Sequence, residues 1–233
     1  MKRIIVLSLA LLWTLSTVKA QDEDYQPFRF GLHASPSLAW IKPDVQGYEN
    51  DGMKLGFSYG LLAEFALSSN YAVSTGIDIS YFGGKVKYED KLDHYGFDTE
   101  DSTNLTGNIQ STYNLQYLQI PLMIKMSTNE IGYFTYFANV GLGTAIRLNA
   151  SGKDIHDTST EERDDLNDDV AFFRESLIIG LGAEYSIADE VSLIGSLNFN
   201  NGFTTTIKRD NILLEKRGNA IANYIEFKFG IIF

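Results

Sequence analysis

The chain has 233 residues, no cysteine, three histidines and a formal net charge of −11. Without cysteine it has no disulfides and no thiolate metal site, and so acidic a balance argues against a nucleic-acid partner, whose phosphates attract basic surfaces. The length suits a single barrel or sandwich and leaves no room for a second domain.

The first twenty residues carry Lys2 and Arg3, an apolar run from Ile4 to Leu15, and then Val18 and Ala20 as the small residues of a cleavage site. A basic start, a short greasy centre and a small-residue end describe a secretory signal peptide, 1–20. The run is too short to cross a bilayer as a helix. No Cys follows the leader, so no lipoprotein anchor is expected. Losing Lys2, Arg3 and Lys19 takes the net charge from −11 to −14. Residues 21–27 read as a short periplasmic tail and 28–233 as one barrel domain.

From Phe28 onward the pattern has period two. Phe28, Phe30, Leu32, Ala34, Leu38 and Trp40 alternate with Arg29, Gly31, His33, Ser35, Ser37 and Ala39, a separation that only a strand produces. Pro36 has no amide to donate, which predicts a bulge or a local break in pairing. The second run sets Leu55, Phe57, Tyr59, Leu61, Phe65 and Leu67 against Lys54, Gly56, Ser58, Gly60 and Glu64. The third sets Tyr71, Val73, Thr75, Ile77, Ile79 and Tyr81 against Ser74, Gly76, Asp78 and Ser80. In the fourth, Leu118, Ile120, Leu122, Ile124 and Met126 oppose Tyr117, Gln119, Pro121, Met123 and Lys125. Four later runs begin near Phe134, Phe173, Val191 and Ile221, the last reaching Phe233. They place Arg147, Arg174, Glu184, Glu226 and Lys228 on the polar side.

The connections alternate in length. Ser68–Asn70, Ser127–Glu130 and Ala188–Glu190 read as tight turns; Lys42–Met53, Tyr88–Thr112, Ala150–Asp169 and Lys208–Asn219 read as long loops. Outer-membrane barrels pair short periplasmic turns with long extracellular loops. A soluble eight-stranded barrel would turn its bulky apolar face inward. Eight strands enclose only enough space for their own inward side chains, too little for so many Phe, Tyr, Leu and Ile residues. The Gly-, Ser- and Ala-rich face suits that interior. The reading is therefore all-β: an eight-stranded antiparallel up-and-down transmembrane β-barrel. Phe28, Phe65, Tyr71, Phe134, Tyr185 and Phe233 would ring its periplasmic rim, and Trp40, Phe57, Tyr81 and Phe173 its outer one, as interfacial girdles do.

Tyr117-Leu118-Gln119-Ile120-Pro121-Leu122-Met123-Ile124-Lys125, with the leader, the eight strands and the terminal Phe233, resembles the PorT-like family of outer-membrane β-barrel proteins. The Gly-rich strand Asn139-Val140-Gly141-Leu142-Gly143 is similar to the family as well. The resemblance covers essentially the whole mature chain. It implies a Gram-negative outer-membrane barrel that is not an enzyme, in a family some of whose members serve protein secretion, and it carries over no catalytic residue.

The residues themselves offer little chemistry. His33 falls on the inward face of the first strand, while His94 and His156 fall in long loops. An outer-leaflet lipid-modifying enzyme would use His94 with Asp93 or Asp98, but no nucleophile, base and orienting group line up. The acids of 150–169, among them Asp164, Asp165, Asp168 and Asp169, read as a solvated loop rather than a cation site, because their spacing matches no EF-hand. The inward charges form the candidate site: Arg29, Arg147, Arg174 and Lys228 facing Glu64, Asp78, Glu184 and Glu226. Buried charges must be paired or hydrated, so these read as a structural plug of salt bridges, the alternative being a narrow polar path. Lys125, at the periplasmic end, is expected to reach water. No cofactor or metal is implied. The function expected is that of a non-enzymatic outer-membrane barrel whose acidic loops bind at the surface or serve an envelope or secretion assembly. A small-solute porin and the lipid-modifying enzyme are the alternatives, and the partners are membrane lipid and envelope proteins.

Overall fold

The computed structural model describes residues 26–44, 47–91, 106–156, 159–163, 165–188, 190–211 and 216–233. The expected signal peptide lies outside them. Among the described residues the regular structure is entirely β. Eight long strands build the wall: β1 (Phe28–Pro43), β3 (Lys54–Ser68), β4 (Tyr71–Lys91), β5 (Thr106–Ser127), β6 (Phe134–His156), β8 (Phe173–Ala188), β9 (Val191–Gly202) and β11 (Lys216–Ile232). Three short ones, β2 (Tyr48–Gly52), β7 (Ser159–Arg163) and β10 (Ile207–Asn211), pair with β4, β6 and β11 at one end.

Each wall strand is antiparallel to its neighbour in the order β1-β3-β4-β5-β6-β8-β9-β11, and β11 pairs back onto β1 from Gly31↔Ile232 to Pro43↔Ala220. That last pairing closes the sheet and leaves the wall no free edge. Pro36 keeps register with Phe57 on β3, but the β1–β11 ladder is interrupted at Ser35 and Pro36 without a shift. The missing proline amide thus costs a local break and no bulge. At the end away from the short strands the turns are tight: Ser69–Asn70, then 128–133, where Gly132 takes φ +69, then a turn before Val191.

The wall's outer face is apolar over a band and polar beyond it. On β5, Leu122 is 61% exposed and its inward neighbour Met123 only 4%, so within the band the bulky residues point out. The band spans Tyr71–Tyr81 on β4 and Leu118–Met126 on β5, about the 9–11 residues a tilted strand needs to cross a bilayer. Stacked, tilted and edge-on ring pairs border it. Phe28–Phe65, Phe30–Phe233 and Phe134–Tyr185 lie at the tight-turn end; Trp40–Phe199, Tyr59–Tyr81 and Phe172–Phe173 lie toward the other.

Beyond the band the strands continue. Among the described residues, the ends of the connections expected over 88–112 and 150–169 are strand: β4 runs to Lys91, β5 starts at Thr106, and β6 reaches His156 with β7 beside it. The apolar residues change face there. Phe82, Val86, Tyr88, Ile109, Tyr113 and Leu115 are buried inside, while Lys85, Asn108, Gln110 and Asn114 are exposed outside. With Ile41, Leu166, Val170, Ile207, Ala220 and Tyr224 they form one apolar core. A wall that leaves lipid for water must hide its hydrophobic residues inside, and this is what inverts the pattern.

Candidate functional site

The lumen is filled in layers. Nearest the tight turns, Arg29 from β1, Glu64 from β3, Lys125 from β5 and Glu184 from β8 form a closed ring. Arg29 reaches Glu64 at 2.5 Å and Glu184 at 2.8 Å. Lys125 donates to Glu64 at 2.6 Å and also to Glu184. Each carboxylate therefore faces both cations, and the ring is neutral. Lys125 does not reach water: it is buried, its ammonium 4.5 Å from the Phe137 ring centre. The expectation for Lys125 is corrected here, because β3 and β8 bring their carboxylates over it. A vestibule of about 420 Å³, lined by Arg29, Glu64, Lys125 and Glu184 with turn residues such as Asn70 and Thr128, opens beneath the ring.

The middle layer holds separate polar pairs. His33 Nε2 lies 2.7 Å from Asp78 Oδ1, and its Nδ1 lies 3.2 Å from Ser35 Oγ. Glu226 accepts from Ser58 and Asn198, each at 3.3 Å, and sits 4.0 Å from Lys228. Between this layer and the charged ring, a void of about 20 Å³ touches Glu64, Lys125, Asn139 and Lys228, room for a single water.

Above lies an aromatic layer. Phe82 packs against Tyr117 and Tyr224, with ring centres 5.5 and 5.2 Å apart. The Arg174 guanidinium sits 5.2 Å from Phe82 and 5.4 Å from Tyr224. Arg174 is fully buried and donates to Asn200 Oδ1 at 2.7 Å and the Ala222 carbonyl at 2.9 Å, while its Nε and Nη1 have no partner among the described residues. Tyr224 donates to Gln119 at 2.9 Å and accepts from Asn200 at 2.8 Å.

The eight charges of the expected network thus fall into five places. Arg29, Glu64 and Glu184 share the ring; Asp78 pairs with His33; Glu226 and Lys228 are neighbours; Arg147 and Arg174, in separate places, meet no carboxylate among the described residues. Arg147 stands opposite the buried Tyr117 on the inward face of β6, just before β5 and β6 slip by one residue. Its guanidinium donates to the carbonyls of Asn167, at 2.6 Å, and Val170, holding the turn that follows β7. Lys125 and His33 were not assigned these partners, because period two gives the face of a residue and not its height relative to other strands.

The sequence matches the family described as "Outer membrane protein beta-barrel domain" over residues 19–208. The chain belongs to the outer membrane protein beta-barrel domain family. It is an all-β, closed eight-stranded antiparallel barrel of the Gram-negative outer membrane. OprG from Pseudomonas aeruginosa is similar in structure, with a TM-score of 0.51 and 11% identity over 88% of this chain and 95% of that one. Neisserial surface protein A has a TM-score of 0.46 and 11% identity over 90% and 98% of the two chains. Ail of Yersinia pestis, solved in complex with the heparin analogue sucrose octasulfate, has a TM-score of 0.38 and 14% identity over 89% and 100%. No curated protein matches the sequence.

In this outer-membrane barrel, Ser35, His33 and Asp78 are strung in the order of a nucleophile, a base and an orienting acid. All three are buried within the wall, Ser35 completely, so no substrate reaches the hydroxyl. His94 and Asp164 lie outside the described residues. Part of the loop expected at Ala150–Asp169 is strand and core, while its Glu162, Asp165 and Asp168 are exposed. Ala150 is buried, Asp154 is buried and accepts from Ser111 at 2.5 Å, and Leu166 and Val170 are buried in the outer core. Among the described residues no group of acids or histidines is arranged to hold a metal ion.

Proposed function

We propose that this protein is a closed, non-enzymatic barrel that acts through the part standing above the membrane, where it presents a rigid surface to an envelope or secretion-assembly partner. The observation that carries this reading is the filled lumen. The Arg29–Glu64–Lys125–Glu184 ring stands at one end, the Phe82–Tyr117–Tyr224 layer at the other, and a void directly above the ring holds only about 20 Å³. An eight-stranded wall has little interior to spare, and here apolar rings occupy its outer half. The extensions of β4, β5 and β6, braced by β2 and β7, carry the exposed acids Glu49, Asp51, Glu89, Glu162, Asp165 and Asp168. The likeness of Tyr117–Lys125 to the PorT-like family favours a role in secretion.

A planar-bilayer recording of the full chain tests the closed lumen. Silence at moderate voltage is the expected result, whereas steady unitary openings would establish the small-solute porin instead. Turnover of outer-leaflet lipid in proteoliposomes, lost on His94→Ala or His156→Ala, would establish the enzyme.

A further inference from the structure

At the outer edge of the apolar band the wall has a cleft of about 520 Å³, lined by Lys54, Leu55, Phe57, Tyr81, Asn114, Gln116, Asn149 and Ser151 among others. It exists because β3 and β4 part company. Their ladder ends at Phe57↔Tyr81, and β4 pairs next with β2 at Gly52↔Lys85, leaving the stretch beside Gly83 uncovered. The Lys54 stem crosses that stretch: its Nζ points to the Tyr113 carbonyl at 3.4 Å, and its Cδ lies 3.4 Å from where a Gly83 Cβ would stand.

The cleft is amphiphilic along the membrane normal. Leu55, Phe57 and Tyr81 are exposed at the lipid side. Directly above them come amides and hydroxyls, in the rows Tyr81↔Gln116↔Asn149 and Gly83↔Asn114↔Ser151, and then Lys85↔Thr112↔Lys153. Gln116 donates to the Tyr81 hydroxyl at 3.1 Å, which fixes the amide at the collar. No acid stands on the outer face of β4, β5 or β6 in these rows. The neighbouring acids are Glu49, across from Lys87, with Asp51 in the β2 bulge, and Glu162, across from Lys153. In a chain of net charge −11, a cationic patch at the level of the outer aromatic collar is the exception. It sits where lipid headgroups lie.

We propose that this cleft binds the phosphorylated sugar headgroup of an outer-leaflet glycolipid. Lys54 and Lys85 take a phosphate, Asn114, Gln116, Asn149 and Ser151 face the sugar hydroxyls, and the acyl chains run down over Leu55 and Phe57. Lysine is a point-charge partner for phosphate, and side-chain amides and hydroxyls both donate and accept, as sugar hydroxyls require. The proposal does not depend on whether the lumen conducts.

Native mass spectrometry of the detergent-solubilised full chain tests it, with bisphosphorylated lipid A, its dephosphorylated form and inorganic phosphate as probes. The phosphorylated glycolipid is expected to be retained over the dephosphorylated one, and Lys54→Gln/Lys85→Gln to weaken its retention about tenfold, the scale of two solvent-screened ion pairs lost. Heat-modifiable migration confirms that the variant is folded. Lys85→Gln alone changes only an exposed side chain, so it carries the test should the double variant misfold. Equal retention of the two glycolipids, or retention unchanged in the variants, would overturn the site. Displacement of the glycolipid by equimolar inorganic phosphate would overturn the lipid as its occupant.

Discussion

Lys125 and Arg29 share the same two carboxylates, both buried, so removing Lys125 leaves carboxylate charge buried without its partner. Lys125→Met leaves Glu64 and Glu184 against one guanidinium, and a buried pair broken from one side costs about 3–5 kcal/mol. The urea midpoint of the variant in lipid vesicles, followed by Trp40 fluorescence, should fall accordingly. Adding Glu64→Gln should recover part of the loss, because the ring is then neutral again. An unchanged midpoint for Lys125→Met would mean that the ring contributes nothing. Arg174 is the contrasting case: it is as buried as Lys125, but among the described residues it has no carboxylate and two of its nitrogens have no partner. Arg174→Met keeps its packing against Phe82 and Tyr224, and should cost less than about 1 kcal/mol or raise stability. A loss as large as that of Lys125→Met would show that the lone cation has a counter-charge the geometry lacks. That these residues point inward is legible in the sequence. Their partners are not, since Glu64 and Lys125 are far apart in the chain and meet only through the tilt of the wall.

At the scale of the strand, the decisive feature is the change of apolar phase. On β4 the bulky residues are odd-numbered through Tyr81 and even-numbered from Phe82 to Tyr88; on β5 they are odd-numbered through Leu115 and Tyr117 and even-numbered from Leu118. Period two within each stretch reveals the strand. The inversion between stretches looks like its end, and for that reason 88–112 reads as a loop in the sequence. Membrane depth is the missing variable: the same strand has lipid outside it below Tyr81 and water outside it above. Substitutions should register the difference. Leu122→Arg, on the lipid face near mid-band, should cost about 2–4 kcal/mol, whereas Asn114→Arg, on the outer face of the same strand above the collar, should be close to neutral. Urea titrations in vesicles give both values, and similar costs at the two sites would remove the boundary from between them. Arg147 shows the limit of any periodic reading. It keeps the inward parity of Ala145, but the one-residue slip that follows it puts the even-numbered Ala150, Gly152 and Asp154 inside, and such a bulge is set by the partner strand.

As a whole the molecule joins two solutions to one problem: inside-out in the bilayer, with greasy residues outside and charges balanced within, and right-side-in above it, with an apolar core beneath a polar skin. The eight-stranded closure, the tight turns at one end and the aromatic collars were legible because each is a local pattern repeated around the wall. The layered packing of the lumen and the pairing of the outer extensions depend on contacts between strands, which no local pattern contains. The chain has no cysteine, so single cysteines can be placed along β5 from Asn108 to Met126 and spin-labelled in lipid vesicles. Oxygen, which concentrates in lipid, should broaden labels at Leu118, Ile120, Leu122 and Ile124. A water-soluble nickel chelate should instead reach Asn108, Gln110 and Asn114, and neither should reach Gln119 or Met123. Oxygen access at Gln119 and Met123 with Ile120 and Leu122 protected, or nickel access along the whole strand, would contradict the orientation on which the account rests.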